Sequence, residues 1–354
     1  MVNKKTINHS KIRDFILENV ESHPKDISKF TADHFNVSRQ AVLLHINSLH
    51  DDRLLKIEGK TKDRKYSLLP VSHEVFHLPV SENKEEDVVW RKLIRPKLAI
   101  NNKNVITIWE YGFTEMYNNV IEHSSADTVT IYLDIHKTKV DMIISDDGVG
   151  IFNKIQKDCG LDDRRHAIFE LSKGKLTTDP QGHTGEGIFF TSRMFDKYAI
   201  LSSEFFFTHD EPGDDWLLQR EAPNGDKKQG TSILMTISNS STRSTKEVFD
   251  KYTSKGSYGF DRTHVPVSLS LYGDENLVSR SQAKRILARF DRFKEVFLNF
   301  KGVDMIGQAF ADEIFRVFHE ENPNVKIVYV YANNQVKRMI RRVKAQRELQ
   351  IPMF

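Results

Sequence analysis

Residues 111–124 read YGFTEMYNNVIEHS, residues 146–150 read DDGVG and residues 182–187 read GHTGEG, and these three runs decide how the chain is organised. In the first, Glu115, Asn119 and His123 recur every four residues, so at about 100° per residue they fall within roughly 80° of arc on a helix. Trp109, Phe113, Met116 and Val120 make the neighbouring apolar stripe. The helix is expected to bury one side and to present a carboxylate, an amide and an imidazole on another. The same residue types also make an ordinary solvated face, so the trio means little alone. The second run ends an apolar strand, VDMIISD, and the third opens a helix. Glycines placed there let backbone amides approach phosphates, and a helix N-terminus favours an anion. Gly-rich turns join strands to helices in many settings. The ordered set E-x-x-x-N-x-x-x-H, D-D-G-x-G and G-x-x-G-x-G, closed by Gly230-Thr231 opening another strand, is far more specific than any one member.

Around these motifs lie 354 residues with 52 Lys+Arg against 49 Asp+Glu, 39% hydrophobic residues and one cysteine. That length predicts two or three domains, each with enough apolar content for a core. Cys159 alone allows neither an internal disulfide nor a multi-cysteine metal site, which suits a reducing compartment. No apolar run approaches the roughly 18 to 20 residues needed to span a bilayer, and MVNKKTINHSKIRDF lacks the apolar stretch of a signal peptide. The expectation is a cytoplasmic protein without a membrane partner.

Residues 1–70 hold 13 Lys/Arg against 9 Asp/Glu, so the basic excess is local. KIRDFILENV, ISKFTADHF and SRQAVLLHINSLH read as three short helices, the last capped by Ser38 and burying Val42, Leu43, Ile46 and Leu49. Two short β-type runs follow around Gly59, with Lys60, Lys62, Arg64 and Lys65 at the tip. That order resembles a winged helix-turn-helix. If it meets double-stranded DNA, Arg39, Gln40 and His45, with Asn47, approach base edges and the four wing cations meet phosphates. Winged helices also dock proteins, and both readings stand at this point.

Residues 71–86, which follow Pro70, contain Pro79 and carry mixed charge, read as a connector. From Asp87 to about residue 240 an α+β pattern holds: a long helix to Ser124, strands TVTIYLDI and VDMIISD, a helical insertion over 151–184, a helix from Gly187 to about Tyr198, and strands AILSSEFFF, DDWLLQR and TSILMTI. Residues 241–262, rich in Ser, Thr and Gly, read as a linker. From 263 to 354, strand VPVSLSLYG and two further strands alternate with three helices, so a small α/β unit is expected.

The motif set resembles the ATP-binding superfamily of gyrase, the Hsp90 chaperone, histidine kinases and MutL, with spacing closest to the anti-sigma-factor serine kinases. The resemblance covers about 87–240 and implies a Bergerat-type α/β sandwich that binds ATP with Mg²⁺. By motif it makes Glu115 the general base or water positioner and Asn119 the Mg²⁺ ligand. Asp146 would receive the adenine amino group with Thr231 in support, and His123 would lie near the phosphates. The glycine boxes, Gly148, Gly150, Gly182, Gly185 and Gly187 with Thr184, would wrap the phosphates. The intervening segment ELSKGKLTTDPQ takes the place of that superfamily's ATP lid, where Lys173, Lys175 and Arg193 either counter phosphate charge or are surface cations.

The last unit resembles a STAS-like domain, the fold of the antagonists such kinases phosphorylate. The loop matching their acceptor reads Val303-Asp304-Met305-Ile306-Gly307-Gln308-Ala309-Phe310 and holds no Ser or Thr. A conformational role in relaying a signal, or a site for a protein partner, is expected rather than phosphate acceptance. The whole order, a multidomain α+β chain of winged helix, ATPase and STAS-like domain, resembles bacterial multidomain regulators. The leading expectation is a regulator whose ATP or ADP state alters DNA engagement. The alternatives are a serine/threonine kinase acting on a separate partner and an ATP-driven homodimer clamp, the latter lacking the transducer domain of the gyrase and MutL group.

Two further patterns read as decoys. His73-Glu74-Val75-Phe76-His77 spells HExxH, which on a helix would place two zinc ligands on one face, but Pro70 and Pro79 bracket it within a connector. The basic run KRMIRRVKAQR also spaces Met339, Ile340 and Val343 for packing, so its charges read as a solvated face.

Overall fold

The computed structural model describes residues 9–60, 63–176, 185–210, 214–219, 230–254, 256–257, 259–271 and 276–348. Its first unit follows from three amphipathic runs: α1 (His9–Asn19), α2 (Ile27–Phe35) and α3 (Arg39–Asp51) bury Ile12, Ile16, Ile27, Val42, Ile46 and Leu49 against one another. The Ser38 hydroxyl accepts the Ala41 N–H and so starts α3. β1 (Leu55–Glu58) and β2 (Lys65–Leu68) pair antiparallel and add Leu55 and Tyr66 to the same core.

The second unit runs through β3 (Ser72–Pro79), α4 (Glu86–Val89), α5 (Lys103–Asn119), β4 (Thr128–Ile135), β5 (Lys139–Asp146), α6 (Ile151–Asp158), α7 (Arg164–Lys173), α8 (Gly187–Met194), β6 (Lys197–Ser202), β7 (Phe205–Asp210), β8 (Asp214–Gln219), β9 (Thr231–Ser238) and α9 (Thr245–Lys251). Its strands form one antiparallel sheet in the order β3-β4-β5-β9-β6-β7-β8. Alternation aims Val129, Ile131, Leu133, Val140, Met142, Ile144, Ile233, Met235 and Ile237 at one buried face. Helix α5 lies in this core, and Gly112 lets it meet the segment after α8, because a Cβ there would come within 2.4 Å of the Phe195 ring.

Several sequence expectations are corrected here. The connector 71–86 contains β3, paired with β4 along its length, and its alternation of half-buried Phe76 and Leu78 with exposed His73, Val75 and His77 is a strand period. The HExxH pattern therefore lies on a strand, where residues four apart are about 13 Å apart and cannot share an ion. His73 and His77 instead hydrogen-bond the cross-strand side chains of Asp134 and Thr130. The helix expected to reach Tyr198 stops at Met194, since Phe195 is extended and Tyr198 is buried from β6. AILSSEFFF is two strands, divided at Ser203 with φ 54°. The expected linker 241–262 contains α9, opened by a capping box of Ser244 and Glu247, and buries Val248, Tyr252 and Phe260.

The third unit comprises β10 (Arg262–Pro266), α10 (Arg280–Leu287), β11 (Glu295–Asn299), α11 (Gln308–Asp312), α12 (Phe318–Glu321), β12 (Lys326–Val330) and α13 (Asn334–Glu348), with a parallel sheet ordered β10-β11-β12. Only Val265 and Pro266 of the expected strand VPVSLSLYG belong to β10, and a 3₁₀ turn follows at Val267–Ser270. Val336, Ile340 and Val343 of α13 are fully buried while Arg338, Arg341 and Arg342 face water.

The second and third units share one continuous apolar core from Val89 to Val343, whereas the first unit has its own. Phe260 bridges them, 4.5 Å from the Phe189 ring and 5.4 Å from Phe293 between centroids. Beside it, the fully buried Lys173 ammonium pairs with Glu170 (2.5 Å) and donates to the Ala288 carbonyl (3.1 Å). Arg289 pairs with Glu170 through Nε (2.7 Å) and donates to the carbonyls of Glu170 and Lys175 (2.7 and 3.0 Å). Burial alone would push the Glu170 carboxyl up, but the hydrogen bond from His166 and the charges of Lys173 and Arg289 outweigh it and hold it down to about 2. Its folded pKa therefore lies below the unfolded value of about 4.3. The stabilisation it gives is present above that pH and is lost as pH falls toward 2. Glu170→Ala is expected to cost about 3–5 kcal/mol by leaving buried cations unpaired. Glu170→Gln is expected to flatten the acid side of the stability profile, measured by urea denaturation between pH 2 and 7.

Candidate functional site

Helix α5 begins at Asn102, whose side chain accepts the Asn104 N–H (3.1 Å) and donates to the Ser241 carbonyl (2.8 Å). It ends by widening into a π-turn at Val120–Ser124, after which Ser125 takes φ 55°. Apolar residues Phe113, Met116, Tyr117 and Val120 fix one side in the core, which leaves Glu115, Asn118, Asn119, Glu122 and His123 on a cavity of about 330 Å³. The Asn119 amide has no hydrogen-bond partner among the described residues and is half-buried.

The second wall is the end of β5. Gly148 N–H donates to the Asp146 carboxylate (2.8 Å), and the Asp147 carboxylate accepts the N–H groups of Asp127 and Thr128 (both 3.0 Å). Gly148 allows this turn to lie on the end of the α5 helix, since a Cβ would stand 2.2 Å from the Ser124 carbonyl oxygen. Burial pushes the Asp146 carboxyl up, against hydrogen bonds from the Gly148 and Thr231 backbone. Thr231, at the start of β9, accepts the Ile151 N–H on its hydroxyl (3.0 Å) and so ties the first turn of α6 to the sheet. Gly150, with φ 82°, makes the turn that permits this.

The third wall is the start of α8. Gly185, Glu186, Gly187, Ile188 and Phe189 line the cavity, and a Cβ on Gly187 would reach 2.0 Å from a Glu115 carboxylate oxygen. Glu115, Asn119, His123, Asp146, Gly150, Gly185, Gly187 and Thr231 thus converge on one space, while Gly148 supports it from behind. Gly182 and Thr184 lie outside the described residues.

Other expectations change. Lys173 and Lys175 do not line the cavity: Lys173 is sealed against Glu170, and the Lys175 ammonium donates to the Arg292 carbonyl (2.9 Å). Both point to the third unit because its backbone carbonyls meet them there, while the carboxylate of Glu170 comes from Lys173's own helix. Arg193 lies in the last turn of α8, away from this cavity. Lys154 was not singled out from the sequence, yet α6 sets it in the lining beside Ile151 and Ile155, 3.1 Å from Asp158. Its place three residues inside the helix after the DDGVG turn was the available signal. Among the described lining residues it is the only lysine or arginine, against Glu115, Glu122, Asp146 and Glu186.

In the first unit, Gln40, Leu44 and Asn47 share the solvent face of α3, with Leu44 71% exposed. His45 turns instead toward α1, its ring 5.2 Å from His9, and Arg39 reaches back to the Ser28 hydroxyl (3.3 Å). Lys60 and Lys65 are exposed, Arg64 is half-buried, and Lys62 lies outside the described residues.

The profile of a family described as "STAS-like domain of unknown function (DUF4325)" matches residues 282–337. The match runs from α10 into α13, and the third unit is a STAS-like domain within a mixed α/β chain. No curated protein matches the chain. No described helix is long and apolar enough to cross a membrane.

The cavity walls make a direct prediction. Gly148→Ala must push the turn off Ser124 and is expected to cost about 1–3 kcal/mol as overpacking. Gly259→Ala, where a Cβ meets nothing within 4 Å, is the control; denaturation midpoints followed by tryptophan fluorescence compare the two.

Proposed function

We propose that the cavity binds ATP with Mg²⁺ and that the chain is a nucleotide-responsive cytoplasmic regulator, in which a histidine-kinase-like ATPase unit joins a winged-helix DNA-binding unit to the STAS-like domain. The observation that carries this reading is the convergence of Glu115, Asn119, Asp146, Gly187 and Thr231, from four separate elements, on one cavity. Asp146, held by two backbone N–H groups and lining the cavity, supports a role as acceptor for an exocyclic amino group. The first turn of α8 offers N–H groups to an anion without a side chain in the way at Gly187. The lining carries more carboxylates than cations, which favours a polyphosphate only when a cation accompanies it. The unpartnered, half-buried Asn119 amide fits a Mg²⁺ ligand, and Mg²⁺ would supply charge neutralisation at the phosphates. Glu115 is then the group to orient or deprotonate a nucleophile.

The STAS-like domain holds the segment entering the cavity. Lys173 and Lys175 are fixed by carbonyls of Ala288 and Arg292, while Leu171 and Leu176, on either side of them in the chain, line the cavity. This supports a relay between the two. Calorimetry of ATP and ADP with Mg²⁺ is expected to give binding in the wild type and none in Asp146→Ala, with phosphate release in the same samples reporting turnover. Absence of wild-type binding would remove the nucleotide reading. Arg289→Ala, remote from the lining, is expected to change ATP affinity several-fold, and an unchanged affinity would remove the relay.

For the first unit, the helix order, the exposed face of α3 and the cations Lys60 and Lys65 on the hairpin support the DNA reading. Each lost phosphate contact is expected to lower the salt slope of binding by about one unit. Fluorescence anisotropy of duplex DNA against salt, for Lys60→Ala and Lys65→Ala, measures this. Duplex binding that ignores both substitutions would favour a protein-docking role.

A further inference from the structure

The last turn of α8 carries a charge that the nucleotide reading does not use. Arg193 is only 4% exposed, yet no carboxylate of the described residues lies within ion-pair distance of it. It donates to the Phe189 carbonyl (3.1 Å) and the Ser192 hydroxyl (2.7 Å), its guanidinium lies 3.6 Å over the Phe189 ring, and its Nε has no partner. A buried charge without a counter-ion is costly, and cation–π stacking offsets only part of that cost. Arg193 lines a second cavity, of about 170 Å³, with Arg243, Lys251, Glu247, Val248 and Tyr252. Arg243 donates to the Met194 carbonyl (2.7 Å) and to Asp196 (3.1 Å), while the exposed Lys251 has no carboxylate partner among the described residues. Glu247 is the acidic residue of this lining, and its carboxylate is already committed to Ser244 in the capping box of α9. Burial first, and then the charges of Lys251, Arg193 and Arg262, push the pKa of the neighbouring His264 down to about 4.

We propose that this second cavity binds a small oxyanion of the phosphate class, with Arg193 as the buried anchor and Arg243 and Lys251 at the mouth. The guanidinium fork suits two oxygens of one anion. The volume lies below that of ordinary cofactor pockets and suits a single phosphate-sized group. The two cavities share no lining residue among the described residues, and α8 spans from one to the other, Gly187 at one end and Arg193 at the opposite end.

Titration of inorganic phosphate into the full chain without nucleotide, at constant ionic strength and read by calorimetry, tests the assignment. Saturable one-to-one binding is expected. Lys251→Glu, on an exposed helix end, is expected to weaken it at least tenfold, as is Arg193→Lys, which keeps the charge and removes the fork. Asp146→Ala is expected to leave it unchanged, which separates this site from the nucleotide cavity. Circular dichroism confirms that each variant folds. No saturable binding, equal binding of chloride, or phosphate affinity untouched by Lys251→Glu would overturn the proposal.

Discussion

The Glu170 carboxylate is the point on which the arrangement of the second and third units depends. It is almost fully buried, and it stays ionised because Lys173 and Arg289, one from its own helix and one from the STAS-like domain, both reach it. Remove the carboxylate and two cations are left inside a shared core. Remove Arg289 and the Glu170 carbonyl loses its guanidinium donor as well, while the Lys175 carbonyl keeps only that of Arg292. Buried ion pairs add little net stability over apolar packing, but they fix geometry, since misalignment leaves a charge unpaired. Here they fix where α7 ends, and the chain that follows lines the main cavity through Leu176 and Gly185.

Three close approaches shape that cavity, each made by a glycine. Gly112 brings α5 against Phe195, Gly148 lays the β5 turn on Ser124, and Gly187 opens α8 over Glu115. None of the three could carry a Cβ without displacing backbone, a ring or a carboxylate. The polar groups are therefore held by walls that are themselves rigid, because helices and strands, rather than loops, carry Glu115, Asn119, Asp146 and Thr231. The same short helix α8 that closes the first cavity ends in Arg193 and so helps build a second, cationic one.

The sequence by itself determined most of the elements and picked out many of the polar residues that line the main cavity. The four-residue recurrence of Glu115, Asn119 and His123, and glycines placed after a strand and before a helix, are local signals, so their place on one polar surface could be read before any contact was known. The helices α1 to α3 were legible for the same reason, each carrying its own apolar stripe and, at Ser38, its own cap. What the tertiary structure decided was where long-range partners pull. β3 looked like a connector because an edge strand with one half-buried face shows weak alternation, and its ladder partner β4 lies some fifty residues away. The 241–262 stretch looked like a linker because Ser and Thr dominate it, yet Phe260 and Tyr252 find a core only in the folded chain. Lys173 and Lys175 illustrate the limit most clearly: a lysine in a lid-like segment can face phosphate or carbonyls, and only the position of Ala288 and Arg292, more than a hundred residues on, settles which. Periodicity and caps are properties of neighbours in the chain, whereas the destination of a buried charge is set by whatever the fold brings within 3 Å of it.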